Sequence, residues 1–331
     1  MKIRLLITEA EFTPFVRHVR DWADTSVFDL VIPAEAGDAA LIAIAGDCDA
    51  LINYQAPVSA ALIQAASKLR FIQKHGLNTR HINTAAAKAR GIPIATTPLM
   101  RNITVAEHAL ALLLACSRKL IDGHHAVTQA VYQAMGLAPQ RTTQSSYRPN
   151  WPRIDGLNEL YGATIGIAGM GDIGMEIAKR CRAFGMHIAY HQRTRLAATV
   201  EHELGLHYAS FDELLAQADY LMLALPHTPQ TEGIINAQTL AHMKSSATLI
   251  NMGRGALVDE AALAHALRTG MIRMAALDVY QFEPLPVDSA LLTLPNIVFT
   301  PHLGGGSYRS WEVDMPASLN SIQAFFTNRS S

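Results

Sequence analysis

The sequence predicts an α/β protein made of two sets of alternating strands and helices, each closing into a parallel sheet. Two observations carry this. Short apolar runs of strand length alternate with helix-like segments over the first hundred residues, and the pattern restarts at Ala163. Such alternation implies a parallel sheet with helices on its faces. A glycine pattern, G-x-G-x-x-G, then lies between the first strand and the first helix of the second set, the placement that marks a doubly wound domain binding a dinucleotide. At 331 residues the chain is long enough for two domains of ordinary size.

In the first set, residues 3–8 (IRLLIT), 29–34 (DLVIPA), 50–54 (ALINY), 70–76 (RFIQKHG) and 92–98 (IPIATTP) read as strands. Residues 61–69 and 84–91 carry helical spacing, the second closed by Gly91 as a C-cap. Residues 104–121 (TVAEHALALLLACSRKLI) predict one long helix, apolar on nearly all sides, of the kind buried between larger bodies. The segment 136–160, rich in Pro, Gly, Ser and Arg, reads as an extended arm. In the second set, strands are expected at 164–171, 187–191, 220–226, 247–253, 274–280 and 297–302. Helices are expected at 172–185, 210–218 and 259–270, the last again closed by a glycine, and a final one at 310–326.

Composition removes several classes. A net charge of −1 lacks the basic excess of a nucleic-acid or membrane-surface protein. The 14 histidines are scattered and do not read as a metal cluster. Cys48, Cys116 and Cys181 lie far apart with no C-x-x-C pair, so neither a disulfide framework nor a zinc site is indicated. A reducing, cytoplasmic setting fits. The start, MKIRLLITEA, reads as a strand and not a signal peptide. The longest strongly apolar run, ALALLLAC, is far short of a membrane span.

Gly169, Gly171 and Gly174 are the three glycines of the pattern, with Met170, Asp172 and Ile173 among them. The first allows a tight turn, the second a close approach of backbone to a pyrophosphate, and the third close helix–strand packing. The next strand should end in an acid that holds the adenosine ribose 2′-OH. Here HIAYH ends in His191 and is followed by Gln192, Arg193, Thr194 and Arg195. An acid would repel a 2′-phosphate. Neutral Gln192 does not, and Arg193 can pair with the phosphate by charge-assisted bonds, with Thr194 and Arg195 assisting. The expected cofactor is NADP(H), with NAD(H) as the alternative.

Five segments occur in order: VAEHALALLLACSR, GATIGIAGMGDIGMEIAKR, LALPHTPQTEGIINAQTLAHMKSSATLINMGRGALVDEAALAHAL, AALDVYQFEPLP and NIVFTPHLGGG. Together they resemble the D-2-hydroxyacid dehydrogenase family, over nearly everything from about residue 68 onward. The resemblance implies two doubly wound Rossmann-like domains with the active site in the cleft between them. A flavodoxin-like substrate domain would comprise 1–102 plus 304–331, and a nucleotide domain 103–303, with a dimerisation arm at 123–160 serving a homodimer.

The resemblance also names the chemistry. Arg254 of NMGRG would grip the substrate carboxylate and carbonyl, His302 of TPHLGG would give the proton, and Glu283 would partner the histidine. Physically, reducing a 2-keto acid needs a hydride on C2 and a proton on the carbonyl oxygen. Histidine is the natural proton donor near neutral pH, a carboxylate orients its ring, and a guanidinium polarises the carbonyl and binds the carboxylate. Asp278 matches the family aspartate at the nicotinamide carboxamide, and Thr104 a residue near the cofactor phosphate or ribose. Pro226, Thr231, Met252 and Gly304 fall in the same matched segments as further cofactor contacts.

One loop departs from the family pattern G-x-G-x-D-x-I-D. Residues 76–83 read GLNTRHIN, so the second glycine is Asn78, the aspartate Arg80 and the last acid Asn83. The family uses the backbone N–H groups here, around Leu77 and Asn78, for the substrate carboxylate. Backbone donors survive side-chain changes, and Asn tolerates positive φ. Arg80 reads as a surface salt-bridge residue, or as a contact to a second anionic group on the substrate. The leading functional expectation is an NADP(H)-dependent reductase of small 2-keto acids of the glyoxylate or hydroxypyruvate type. One alternative is phosphite-type oxyanion oxidation, which would ask for a smaller, more cationic pocket. Another is a nucleotide-sensing corepressor, whose relatives carry long disordered tails that this sequence does not show.

Overall fold

The computed structural model describes residues 2–306 and 309–327. The chain divides into two compact units, residues 1–101 with 307–331, and residues 102–306.

The first unit holds β1 (Ile3–Ile7), β2 (Phe28–Val31), β3 (Ala50–Asn53), β4 (Phe71–His75) and β5 (Ile94–Thr97), all parallel, in the order β2-β1-β3-β4-β5. That is the flavodoxin-like doubly wound order. β3 and β4 are buried along their whole length, as strands covered on both faces must be. The helix Ser310–Thr327 returns to this sheet. Its Met315, Leu319 and Ile322 are buried with Leu5, Ile7, Phe15 and Phe71, and Phe325 stacks on Phe71 at 4.4 Å. Both ends of the chain therefore build one core.

The second unit holds β6 (Thr164–Ala168), β7 (His187–His191), β8 (Leu206–Tyr208), β9 (Tyr220–Leu223), β10 (Thr248–Asn251), β11 (Met274–Leu277) and β12 (Ile297–Phe299). All pairings are parallel, in the order β12-β11-β10-β9-β6-β7-β8. Counted from β6, this is the dinucleotide-binding order with one more strand at the far edge. The chain reverses direction at β6, between β7 and β9. Ligands bind beyond the carboxyl ends of the strands at such a point.

The long helix differs from expectation. It runs Met100–Ser117, breaks at Lys119 with φ of 51°, and resumes as Leu120–Thr128. Residues after the break turn outward, and Leu120 and Ile121 are exposed. Residues 139–160 contain no helix or strand beyond one isolated bridge, Thr143 to Ser146. The three cysteines are buried free thiols. Burial pushes Cys116 and Cys181 up to about 12 and Cys48 to about 11.

Candidate active site

The glycine turn follows β6, and each glycine has its own reason. Gly169 has φ of 99°, and a Cβ there would lie 2.6 Å from the Ala224 carbonyl oxygen. A Cβ on Gly174 would lie 2.2 Å from the Gly169 carbonyl oxygen. These two close the turn onto the neighbouring strand and the helix. Gly171 is different, because a Cβ there would meet nothing within 4 Å. It faces open space at the N-terminus of the helix Asp172–Ala183, which has no side-chain cap. A helix N-terminus without a side-chain cap, beside an open backbone surface, fits a pyrophosphate.

At the end of β7, His191 Nδ1 bonds the Ala209 carbonyl at 3.0 Å. Gln192 Nε2 donates to the Thr194 carbonyl at 2.6 Å, which closes the loop. Arg193 and Thr194 are exposed. Arg195 does not join them: it is paired with Glu201, at 2.9 and 2.8 Å. Arg195, expected to assist, makes this ion pair with Glu201 at the end of the loop.

Across the switch point, the Thr231 hydroxyl donates to the Pro226 carbonyl at 2.8 Å, folding the loop after β9. Gly304 lies where a Cβ would press on Met252 Cε at 2.9 Å and Asp278 Oδ2 at 3.0 Å, so Met252, Asp278 and Gly304 form one contact. Asp278 is buried. Its carboxylate accepts the Thr300 hydroxyl at 2.7 Å and the N–H groups of Leu303 and Gly304 at 2.8 and 2.9 Å. His108, on the helix Met100–Ser117, places Nε2 3.0 Å from Thr300 Oγ1 and 3.2 Å from Asp278 Oδ1. Sequence reading missed His108, because a histidine in an apolar helix looks like a core residue. Thr104 lies on the same helix, half-buried.

Arg254, Glu283 and His302 follow β10, β11 and β12, three neighbouring parallel strands, so all three emerge at one edge of the sheet. Glu283 Oε2 accepts from His302 Nδ1 at 2.6 Å, and Oε1 accepts the Tyr280 N–H at 3.2 Å. The Arg254 turn is fixed by Asn251, whose Nδ2 donates to the Arg254 carbonyl at 2.9 Å and whose Oδ1 accepts the Gly253 N–H at 3.0 Å. Gly255 packs so closely that a Cβ would come within 1.8 Å of the Tyr280 carbonyl carbon. The loops of Arg254 and Glu283 are thus in direct backbone contact.

In the first unit, Leu77 and Asn78 are accessible. Asn78 is not among the residues with positive φ, so its tolerance of that region is not needed. Its Oδ1 instead accepts the Arg80 N–H at 3.0 Å. The surface salt bridge expected of Arg80 is not formed among the described residues, and its Nε donates to His81 Nε2 at 3.1 Å.

A dinucleotide fold with these side chains at adjacent strand ends defines the class of nucleotide-dependent dehydrogenases. The family model described as D-isomer specific 2-hydroxyacid dehydrogenase, NAD binding domain, matches residues 110–304. The chain belongs to this family and is an oxidoreductase. It is similar to the D-3-phosphoglycerate dehydrogenase of Mycobacterium leprae, 38% identical over 269 residues, 81% of this chain and 47% of that one. The chain spans about half the length of that relative. It is also similar to the glyoxylate reductase of Pyrococcus furiosus, 36% identical over 280 residues, 84% of this chain and 80% of the relative. Among solved structures it resembles an NADPH-dependent glyoxylate/hydroxypyruvate reductase from Sinorhizobium meliloti in complex with NADP and malonate. That match has a TM-score of 0.63 and 30% identity, over 98% of this chain and 94% of that one. No helix among the described residues is long and apolar enough to cross a membrane.

Proposed function

We propose that this protein reduces small 2-keto acids, of the glyoxylate and hydroxypyruvate type, to D-2-hydroxy acids with NADPH. The observation that carries the reading is the Glu283–His302 bond at 2.6 Å, one strand from Arg254. Because Nδ1 faces the carboxylate, Nε2 is the ring nitrogen left to exchange a proton. His302 gives that proton to the carbonyl oxygen, Glu283 fixes the tautomer and orientation, and Arg254 binds the carboxylate and draws charge from the carbonyl. The backbone N–H groups around Leu77 and Asn78 offer further donors to the carboxylate. The reduced nicotinamide supplies the hydride when bound.

The residues fit the cofactor. The open surface at Gly171 and the helix N-terminus suit the pyrophosphate. No acid stands at the tip of β7, and exposed Arg193 with Gln192 and Thr194 suits a 2′-phosphate. Asp278, Thr104, Pro226, Thr231, Met252 and Gly304 complete the proposed contacts. The exposed apolar side chains of Leu120, Ile121, Val127 and Tyr147 support a homodimer built on this region. Light scattering showing a monomer would remove that part of the reading.

The test is absorbance at the nicotinamide band with NADPH or NADH and a panel of keto acids. Turnover of glyoxylate or hydroxypyruvate, faster with NADPH, is the expected result. Turnover with none of the acids would overturn the substrate reading, and a preference for NADH would overturn the cofactor reading.

A further inference from the structure

The loop at the tip of β7 carries two arginines with opposite fates. Arg195 donates from Nε and Nη2 to the two oxygens of Glu201, at 2.9 and 2.8 Å. Glu201, on the helix Ala198–Leu204, is buried. Its Oε1 also accepts the hydroxyl of Tyr190 at 2.6 Å. Tyr190 is fully buried near the end of β7, and its oxygen accepts the Leu196 N–H at 2.9 Å. The Arg195 guanidinium lies over the Tyr208 ring of β8, 5.4 Å from its centre. The end of the loop is thereby tied to β7, to β8 and to the following helix. Arg193, two residues earlier, is exposed and makes no hydrogen bond or ion pair among the described residues.

We infer that Glu201 and Arg195 form a clamp that positions Arg193 for the adenosine 2′-phosphate, and that Arg195 is not itself a phosphate ligand. The inference rests on the NADPH reading above. A two-pronged Arg–carboxylate bond fixes direction as well as distance, so the end of the loop is anchored and the backbone that carries Arg193 is restrained. The carboxylate also cancels the charge of Arg195, leaving Arg193 as the arginine of the loop able to draw a phosphate. The guanidinium and the tyrosine hydroxyl hold the Glu201 carboxyl down to about 2, so the clamp stays closed across the working pH range. Glu201 is a positioning residue and touches no ligand.

The experiment is fluorescence titration of the full chain with NADPH and NADH, and calorimetry with 2′,5′-ADP. The variants are Arg193→Ala, Arg195→Ala, Arg195→Lys, Glu201→Gln and the double variant of positions 195 and 201. Loss of Arg193 should weaken NADPH about ten-fold or more, the size of one charge-assisted bond. Arg195→Ala and Glu201→Gln should each weaken NADPH and 2′,5′-ADP several-fold relative to NADH, a smaller effect because they act through Arg193. The double variant should be no worse than the worse single one. Arg195→Lys, which keeps the charge and loses the fork, should resemble Arg195→Ala. The Arg195 side chain is 63% exposed, so its variants keep the core even if Glu201→Gln does not fold. Two results would overturn the clamp in a wild type that prefers NADPH. In one, Arg195→Ala is as damaging as Arg193→Ala while Arg195→Lys restores binding, making Arg195 a direct ligand. In the other, NADPH and NADH weaken equally, making the pair merely structural. A wild type that binds NADH more tightly would instead overturn the cofactor reading, and the clamp with it.

Discussion

His302 Nδ1 lies 2.6 Å from Glu283 Oε2, and the His302 backbone that aims the ring is itself unusual, with φ of 54°. Asp278 holds that backbone: its carbonyl accepts the His302 N–H at 2.9 Å, and its carboxylate accepts the next two backbone N–H groups. The ring is therefore gripped at the side chain by one acid and at the backbone by another.

Replacing Glu283 with Gln should lower keto-acid reduction about ten-fold or more, because a neutral amide replaces the charged acceptor of the His302 ring. Steady-state turnover of glyoxylate with NADPH checks this, and a variant as fast as the wild type would remove Glu283 as the partner of His302.

Asp278→Asn should loosen the loop 300–304. Each bond to the carboxylate is worth about 1.5–3 kcal/mol, so denaturant unfolding should show a loss of that order, with turnover falling as His302 loses its aim. Unchanged turnover in a destabilised variant would show that the loop is held by other groups.

Gly255→Ala should be severe. Its Cβ would meet the Tyr280 carbonyl carbon at 1.8 Å, and backbone cannot step aside as a flexible side chain can. Overpacking typically costs about 1–3 kcal/mol, and this variant should lie at or above the upper end. A melting temperature equal to the wild type's would contradict the contact between the Arg254 and Glu283 loops.

His75 gives a pH prediction for stability. Burial, then the charges of Lys74, Arg101 and His18, press its pKa down to about 3, while the ring bonds Ser318 Oγ through Nδ1 at 2.9 Å. The unfolded chain binds this proton near pH 6.5 and the folded chain does not. Stability should be full above that pH and fall toward pH 3, by at most about 1.4 kcal/mol per unit from this group. His75→Gln should be less stable at pH 8, yet lose less between pH 6.5 and 4. Equal acid sensitivity in both proteins, measured by urea unfolding, would assign the loss elsewhere.

The parts legible in sequence were those where the backbone leaves no choice. Gly169 and Gly174 could be read because any side chain there would strike a carbonyl. Most strands could be read because burial on both faces demands continuous apolar runs, but the short strand Leu206–Tyr208, buried only in part, has no such run and is not among those expected. The break at Lys119 was hidden, since no Gly or Pro interrupts LLLACSRKLID. Short helices such as Pro14–Trp22 and Ala198–Leu204 are not among the elements expected from the sequence. The fate of Arg195 depended on a glutamate six residues on, and became visible only once Glu201 was seen buried beneath the loop.

The most direct test compares His302→Ala with the wild type in NADPH-dependent glyoxylate reduction, alongside NADPH titration of both. Turnover should fall by about 100-fold or more in the variant, with NADPH affinity nearly unchanged. A variant that turns over glyoxylate as fast as the wild type would contradict the proposal that the Glu283–His302 pair delivers the proton.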